Sequence, residues 1–327
     1  MADLAVTVAG LELKTPVVAG SGEGTQNAEQ IRACLAAGAA AVVAKSTNES
    51  AAAKAQLRGA AYALVDRDFN AREVGPAARE DSLFCRSGLV DEPFEQWVET
   101  LAALDREAGD AYVVPSLIVS GIDEAVRMAC AFEAAGLRWL ELNIGAPHAG
   151  EAAAGAIRTG AELVRPIRDA VALPLTVKVG GLDPVADATA ALDAGADAVV
   201  LASRAQGFLS DLETRKPVLG TFAAIGGAWA VPLTCRHLAK ARQARPNACL
   251  VGTNGARSGR DVAQMLLAGA SAVQLTSVVI TDGARALARV TAELSAYLDE
   301  QGVAARELVG EAADAVRTYE EASLEHR

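Results

Sequence analysis

Apolar and polar positions fall into a repeating pattern of short apolar runs separated by alanine-rich segments with helical spacing. The runs are continuously apolar rather than alternating, which predicts strands that are buried on both faces, as in a parallel sheet covered by helices. The stretches that contain them are TPVVAGS (15–21), AAGAAAVVAKS (36–46), AYVVPSLIV (111–119), AAGLRWLELN (134–143), LPLTVKVG (173–180), DAGADAVVLAS (193–203), ACLVGTNG (248–255) and LAGASAVQLTS (267–277).

Four of these stretches share one phrase, in which a helical pattern ends at a glycine and an apolar run follows. The glycines are Gly38, Gly136, Gly195 and Gly269. A glycine suits the left-handed conformation that commonly ends a helix. Each phrase therefore predicts a helix that turns into a strand.

Eight such units over about 250 residues have the size of a (β/α)8 TIM barrel. The alternative is a doubly wound sheet, but AGSGEGTQ has the glycines of a dinucleotide-binding turn only in loose form. We therefore predict one α/β barrel domain over residues 1–327, with a hairpin in the first thirteen residues at its bottom. Residues 47–92 and 204–231 are predicted insertions over the top. The chain is expected to be helical and polar beyond about residue 282, with a helical tail from about 300.

Composition narrows the function. The chain has 51% hydrophobic residues and a formal net charge of −11, which disfavours nucleic acid and acidic membrane surfaces as partners. No long apolar stretch or leader pattern is found, so we expect a soluble, cytoplasmic protein. The five cysteines include no C-x-x-C pair, and neither a metal site nor a disulfide framework is predicted.

Polar residues and glycines end the predicted strands, where the active site of such a barrel lies. Strands seven and eight end in GTNG and LTS, and a helix is expected to start after each. Backbone amides, hydroxyls and helix amino termini at this place predict a phosphate site. Lys45 and Lys178 end two other strands. A buried ammonium requires an anion, so these lysines predict an anionic ligand, a Schiff base, or pairing with carboxylates such as Glu23 or Glu141.

The order of these motifs resembles that of the flavin mononucleotide (FMN) dehydrogenases typified by dihydroorotate dehydrogenase and the pyrimidine-reducing domain of dihydropyrimidine dehydrogenase. The resemblance runs from TPVVAGSG through LELNIGAPH and LPLTVKV to VGTNGARSGRDVAQMLLAGASAVQLTS. It implies FMN as the cofactor, with Lys178 at the N1/O2 edge of the flavin ring, where a cation stabilises the reduced anion. The implied cofactor-binding residues are Gly20, Ser21, Lys45, Ser46, Asn143, Lys178, Ser203, Gly226, Gly227, Gly252, Thr253, Asn254, Gly255, Thr276 and Ser277.

The chain departs from this family where the reaction takes place. The loop after Asn143 carries Ala146 at the position where the family has the Cys or Ser that exchanges a proton with the substrate. Cys85 and Ser203 replace two asparagines of the family's substrate pocket, and Trp229 replaces a small hydroxyl residue. Dihydroorotate and uracil are therefore poor candidates for the substrate.

Replacements for the missing proton donor are available. Cys85 in the first insertion and His148 in the loop can each act near neutral pH if held within hydrogen-bond reach, and Lys45 is the third catalytic candidate. Arg86 and Arg204 are placed to bind a substrate carboxylate, or else pair on the surface. The predicted substrate-binding residues are Cys85, Arg86, Ser87, Gly88, Asn143, His148 and Arg204.

The predicted function is an FMN-dependent oxidoreductase that acts on a small polar, cyclic or carboxylated substrate by hydride transfer at flavin N5. Alternatives are an oxidase or oxygenase on the same fold and a non-catalytic flavin-binding or phosphate-binding barrel. A tRNA dihydrouridine synthase also resembles the NIGAP loop, but it would need a basic surface for RNA. The resemblance further implies a homodimer and a separate electron donor or acceptor.

Overall fold

The computed structural model describes residues 2–48, 54, 59–118, 121–144, 161–180, 183–201 and 203–324. The chain begins with an antiparallel hairpin of strands β1 (Val6–Val8) and β2 (Leu11–Leu13). The Ala9 amide in its turn donates a hydrogen bond to the sulfur of Cys249, immediately before a barrel strand. The hairpin therefore lies at the amino-terminal end of the barrel, as predicted.

A nine-stranded parallel sheet forms the barrel, and all eight predicted apolar runs contribute to it. Its strands are β3 (Val17–Ala19), β4 (Ala41–Val43), β8 (Tyr112–Val114), β9 (Ser116–Leu117), β10 (Leu140–Asn143), β11 (Leu175–Lys178), β12 (Ala198–Leu201), β17 (Leu250–Thr253) and β18 (Ala272–Leu275). The order across the sheet is β8-β4-β3-β18-β17-β12-β11-β10-β9.

Pro115 explains why eight predicted strands appear as nine. It divides the third run into β8 and β9, since proline has no amide hydrogen to give to a strand ladder. β8 pairs with β4 and β9 pairs with β10, so the two edges of the sheet meet in one continuous chain segment. The Thr47 amide also donates to the Ser116 carbonyl at 3.0 Å. The sheet thus closes as a TIM barrel, as predicted.

Helices surround the barrel, and the four predicted capping glycines have φ angles between 84° and 113°. Three short 3-10 helices span Glu23–Thr25, Ala228–Ala230 and Ala305–Leu308. The α-helices of the described residues are α1 (Ala28–Ala36), α2 (Phe94–Glu107), α3 (Ile122–Ala134), α4 (Ala161–Ala170), α5 (Pro184–Asp193), α6 (Val231–Ala244), α7 (Gly259–Leu267), α8 (Ser277–Asp282), α9 (Arg285–Gln301), α10 (Glu311–Asp314) and α11 (Tyr319–Leu324).

Helix α9 differs from the polar segment expected beyond residue 282. Leu287, Val290, Leu294 and Leu298 occur at helical spacing and are fully buried. This apolar face packs against α7, so α9 is an integral part of the barrel's outer layer. No described helix combines the length and the apolar composition that crossing a bilayer requires.

The two predicted insertions meet in one antiparallel sheet, which we call the lid. The first insertion supplies three strands, the second supplies two, and β16 pairs with β7 to join them. The second insertion also forms a separate two-stranded hairpin. The lid strands are β5 (Ala61–Val65), β6 (Ala71–Arg72), β7 (Ser82–Arg86), β13 (Ala205–Gly207) and β16 (Ala223–Gly227), and the hairpin strands are β14 (Ser210–Asp211) and β15 (Lys216–Pro217).

Candidate active site

A cavity of about 1050 Å³, including its opening to solvent, lies between the carboxyl ends of the barrel strands and the lid. Most of the predicted site residues line it: Ser21, Lys45, Ser46, Cys85, Ser87, Gly88, Asn143, Lys178, Ser203, Arg204, Gly227, Thr253, Asn254, Gly255, Thr276 and Ser277.

Four predicted residues lie beside this cavity rather than on its wall. Gly20 packs against Thr276, and Gly226 lies against Asn254 and Arg204. Gly252 faces Met265 and so contacts a helix. Arg86 ends strand β7 and is half-buried.

The loop after Asn143, which carries Ala146 and His148, is not among the residues that can be placed relative to the cavity. Ala146 and His148 lie outside the described residues, as does the tail residue His326.

The backbone of the turn after β17 approaches neighbouring atoms closely. Asn254 and Gly255 have φ angles of 69° and 108°, and a Cβ on Gly255 would lie 2.8 Å from the Val231 nitrogen at the start of α6. A side chain larger than hydrogen is therefore excluded at Gly255. The turn brings its backbone to the cavity wall beside Thr276 and Ser277 of the next strand end.

The start of α7 is already occupied by carboxylates of the protein itself. The Gly259 amide donates to Glu293 at 2.8 Å, and the Arg257 and Ser258 amides donate to Asp261 at 3.0 Å. These three amides at the helix start therefore already have acceptors within the protein. Of the groups predicted for a phosphate, the GTNG turn and the end of β18 line the cavity.

Lys45 forms a buried ion pair. Its Nζ lies 2.7 Å from Oε1 of Glu23, and the side chains are 6% and 14% exposed. The Gly88 amide of the lid donates to the same oxygen at 3.2 Å. Burial lowers the pKa of Lys45, and the carboxylate of Glu23 partly restores it. The pairing with Glu23 considered from the sequence is therefore present.

Lys178 has no carboxylate in direct contact among the described residues. Its Nζ donates to Oε1 of Gln274 at 3.0 Å, and Nε2 of Gln274 donates to Oε2 of Glu141 at 2.5 Å. Burial lowers the pKa of Lys178, Glu141 raises it, and the positive charges of Arg204 and Lys45 lower it further.

The predicted substrate-binding residues Ser87 and Arg204 link the lid to the barrel at one side of the cavity. Nη2 of Arg204 donates to Oγ of Ser87 at 3.0 Å, and the thiol of Cys85 lies 3.6 Å from the same hydroxyl. Trp229 donates from its indole nitrogen to Ser82 at 3.0 Å and remains 43% exposed. The guanidinium of Arg204 therefore faces the cavity beside a thiol.

Four cationic side chains line the cavity of this acidic protein. They are Lys45, Lys178, Arg204 and Arg257, whereas none of the described residues that line the cavity is Asp or Glu. Two of these cations have carboxylate partners behind the wall, since Lys45 pairs with Glu23 at 2.7 Å and Arg257 lies 3.6 Å from Asp282. An anionic ligand would therefore pair most readily with Lys178 or Arg204.

Buried polar atoms at the wall also indicate a ligand. Nη1 of Arg204, Oδ1 of Asn254 and Oγ1 of Thr276 are buried and have no hydrogen-bond partner among the described residues. Because such groups are costly to leave unpaired, their convergence on one cavity is typical of a polar binding site. The set offers donors and an acceptor to a polar ligand.

Sequence reasoning missed several residues of the wall. Ile118, Gln206, Ala224, Ala256, Arg257 and Gln274 line the cavity as well. Gln274 could have been predicted, because it is a polar residue inside the apolar run AVQL. Both faces of that strand are buried, one against the barrel interior and one against helices. Gln206 and Ala224 were not, because the pairing of the two insertions leaves no local signal.

Comparison with known proteins gives one consistent result. The family model described as dihydroorotate dehydrogenase matches residues 77–298. Dihydroorotate dehydrogenase A (fumarate) of Lactobacillus helveticus is 31% identical over 238 residues, which cover 69% of this chain and 76% of the relative. The catalytic subunit of dihydroorotate dehydrogenase B (NAD(+)) is 34% identical in Desulforudis audaxviator, over 62% of this chain and 68% of the relative. The Thermoplasma acidophilum catalytic subunit is 23% identical over 92% of this chain and 95% of the relative.

Proposed function

The chain belongs to the dihydroorotate dehydrogenase family, and from this premise we propose that it is an FMN-dependent oxidoreductase acting on a small anionic substrate by hydride transfer. One observation carries the proposal. The ammonium of Lys178 lies in a cavity to whose wall the described part of the chain contributes no acidic residue. This is the barrel end where the strand turns also supply hydroxyls and backbone amides.

The chemical character of the cavity-lining residues suits FMN. Gly255, Thr276 and Ser277 would hold the phosphate, since the glycine permits close approach and the hydroxyls donate. Lys178 would lie at the edge of the flavin ring that gains negative charge. Bound FMN would supply the hydride-accepting chemistry, while the protein supplies orientation and electrostatic stabilisation.

We propose that the substrate carries a carboxylate or another anionic group. Two observations on Arg204 support this: Nη1 has no hydrogen-bond partner among the described residues, and Nη2 donates to Ser87. A guanidinium binds a carboxylate through paired hydrogen bonds. Cys85 and Ser203 stand where the family has amide side chains. A pocket with a thiol and a hydroxyl in place of these amides, next to the cation of Arg204, favours an anionic group over a neutral pyrimidine edge.

Proton exchange with the substrate requires a residue other than Ala146, because a methyl group has no exchangeable proton. Cys85 is our first candidate, since its buried thiol lines the cavity beside Arg204. Lys45 is less suited because Glu23 holds it in an ion pair. His148 remains a prediction.

Ala146 also favours a second candidate function, an oxidase that passes electrons to O₂ and needs no carbon acid. The printed names of the relatives differ in their electron partner, fumarate for one and NAD(+) for the other. The electron partner of this chain is therefore an open choice between these classes. The homodimer, the single domain and the cytoplasmic location stay predictions.

The proposal is tested by mixing the flavin-loaded protein anaerobically with carboxylated heterocycles in their reduced (dihydro) form, dihydroorotate, dihydrouracil and NAD(P)H, and recording flavin absorbance near 450 nm. Bleaching by an anionic substrate, followed by rapid recovery in air, would support an oxidase. Recovery only with fumarate or NAD(+) would support a dehydrogenase. A protein that binds no flavin, or whose flavin no compound reduces, contradicts the proposal.

A further inference from the structure

Glu141 is a fully buried carboxylate in the interior of the barrel. It lies in β10, two residues before Asn143, and its exposure is 0%. Burying a carboxylate is costly unless a charge or hydrogen bonds compensate it. The structure therefore has to provide a compensating group for Glu141.

The direct neighbours of Glu141 are neutral. Gln274 donates to one oxygen at 2.5 Å, and the Ser116 hydroxyl donates to the other at 3.4 Å. Ser116 lies 2.9 Å from the Ser46 hydroxyl, which lies 3.3 Å from the Ser21 hydroxyl at the cavity wall. Each hydroxyl of this chain can donate toward the carboxylate, an arrangement that suits an ionised Glu141.

The orientation of Gln274 follows from its partners. An ammonium has only donors, so the amide oxygen of Gln274 must face Lys178 and its NH₂ group must face Glu141. Gln274 thereby connects a donor to an acceptor across the barrel, from β11 to β10 by way of β18. A side chain with one donor end and one acceptor end is required at this position.

The charges of the barrel interior then divide into two pairs. Lys45 contacts Glu23 directly at 2.7 Å, whereas Lys178 reaches Glu141 only through Gln274. The other charges that act on Lys178 are the cations Arg204 and Lys45, both repulsive. Among the described residues, Glu141 is the anion whose charge favours a protonated Lys178.

We propose that Glu141 is a positioning residue that keeps Lys178 charged and directed at the cavity, acting through the Gln274 amide. A link through Gln274 has a functional advantage over a direct ion pair between Lys178 and Glu141. One N–H of the ammonium is used by Gln274, which leaves the remaining donors for a ligand while the counter-charge stays inside the barrel. The role of Lys178 toward flavin rests on the proposed function, but its pairing with Glu141 does not.

The test replaces the charge at constant shape. In E141Q the carboxylate becomes an amide, and we expect the pKa of Lys178 to fall further, because the one nearby negative charge that raises it is lost. The pKa of Lys178 is read in the flavin-free protein from the pH dependence of its acetic anhydride labelling, by mass spectrometry of the Lys178 peptide. Lys240, an exposed lysine on α6, gives the internal reference within each sample.

A swap variant supplies the control. In the double variant E141Q/Q274E the carboxylate and the amide exchange places, so the net charge is restored and the acid contacts Lys178 directly. We expect the Lys178 pKa to return to the wild-type value or above it. Circular dichroism and thermal unfolding establish that each variant is folded.

An unchanged Lys178 pKa in folded E141Q overturns the proposal, and so does a folded swap variant in which the pKa stays low. If E141Q fails to fold, the swap alone decides between these outcomes. In flavin-loaded protein the pH at which the midpoint potential changes slope should shift in parallel. If no flavin binds, the proposed function fails while the labelling result still tests the Glu141 pairing.

Discussion

Arg204 donates a hydrogen bond to Ser87 at 3.0 Å, although the two residues are 117 positions apart in the chain. Ser87 follows lid strand β7, and Arg204 lies at the start of the second insertion, shortly after barrel strand β12. The contact therefore fixes the guanidinium at the border between barrel and lid. This border is where we place the substrate, so its recognition depends on how the two insertions pair.

Replacing Arg204 with leucine should weaken substrate binding selectively. We expect KM for an anionic substrate to rise about 10- to 100-fold, since a charged hydrogen-bonded pair is worth about 1.5–3 kcal/mol. The affinity for FMN should change by less than about threefold, because FMN is proposed to contact other residues than Arg204. Steady-state kinetics and FMN titration measure both quantities. Arg67→Leu, at a residue whose side chain is 79% exposed, is the matched control. Equal KM changes in the two variants would contradict this role.

FMN affinity should fall as pH rises through the lowered pKa values of the two buried lysines. Burial lowers the pKa values of Lys178 and Lys45 in the free protein, and an anionic ligand raises them again, so binding takes up protons. Affinity is thus complete below the free-protein pKa and declines as pH passes through it. Fluorescence titrations of FMN between about pH 7 and 10 measure the slope, at most about tenfold per pH unit per proton. Lys178→Met should flatten the profile, and an unchanged slope in that variant would argue against Lys178 as its source.

The same lowered pKa values predict how the free protein's stability depends on pH. Between the folded and unfolded pKa of a buried lysine, the unfolded chain binds more protons than the folded chain. This contribution makes the unfolding free energy increase with pH across that window, opposite in sign to the change in FMN affinity. Urea unfolding at the same pH values separates the two effects.

Cys85→Ala should slow the reaction without releasing the cofactor. If the thiol exchanges the substrate proton, turnover should fall about 10²- to 10⁴-fold, the usual contribution of a general acid or base. Rapid-mixing measurements of flavin reduction, together with the solvent isotope effect, report the proton step directly. Cys130→Ala, at a half-buried cysteine that does not line the cavity, is the control. If Cys85→Ala keeps full turnover, the assignment is wrong and His148 becomes the candidate.

Gly259→Ala should destabilise the outer layer of the barrel. Gly259 starts α7 against α9, and a Cβ there would lie 2.7 Å from Cβ of Glu293 and would overlap the backbone of Leu294. We expect a loss of about 1–3 kcal/mol in the unfolding free energy, as for other overpacked sites. Gly75→Ala, where a Cβ would meet no atom within 4 Å, should have little effect. Urea denaturation compares the two, and equal midpoints would mean that α7 and α9 do not pack so closely.

The barrel was predictable from the sequence because its strands are local. Continuous runs such as AVVL and LVGT are apolar on both faces, and the glycine phrases mark the helix ends that precede four of them. The residues at the strand ends were predictable for the same reason. Once parallel strands form a barrel, Lys178 and Thr276 must share one end of it.

The lid and the interior polar pairs were less predictable, because they depend on contacts between distant segments. Cys85 pairs with Ala224 across two insertions, a register set by tertiary packing rather than by local pattern. Glu141 and Gln274 were each visible as a polar residue in an apolar strand, but their contact follows only from barrel closure. Glu23 and Glu141 were both possible carboxylate partners of the lysines, and the sequence did not assign either of them. In the structure Glu23 lies beside Lys45.

Comparing the binding of FMN and riboflavin to the flavin-free protein tests the central claim most directly, namely that the barrel mouth holds a flavin by its phosphate. We predict one FMN per chain, bound at least about 100-fold more tightly than riboflavin, since two or more charged hydrogen bonds contribute about 1.5–3 kcal/mol each. The difference should shrink strongly in Thr276→Val. Equal affinities for FMN and riboflavin, or a preference unaffected by Thr276→Val, would contradict the phosphate site, and failure to bind any flavin would contradict the account as a whole.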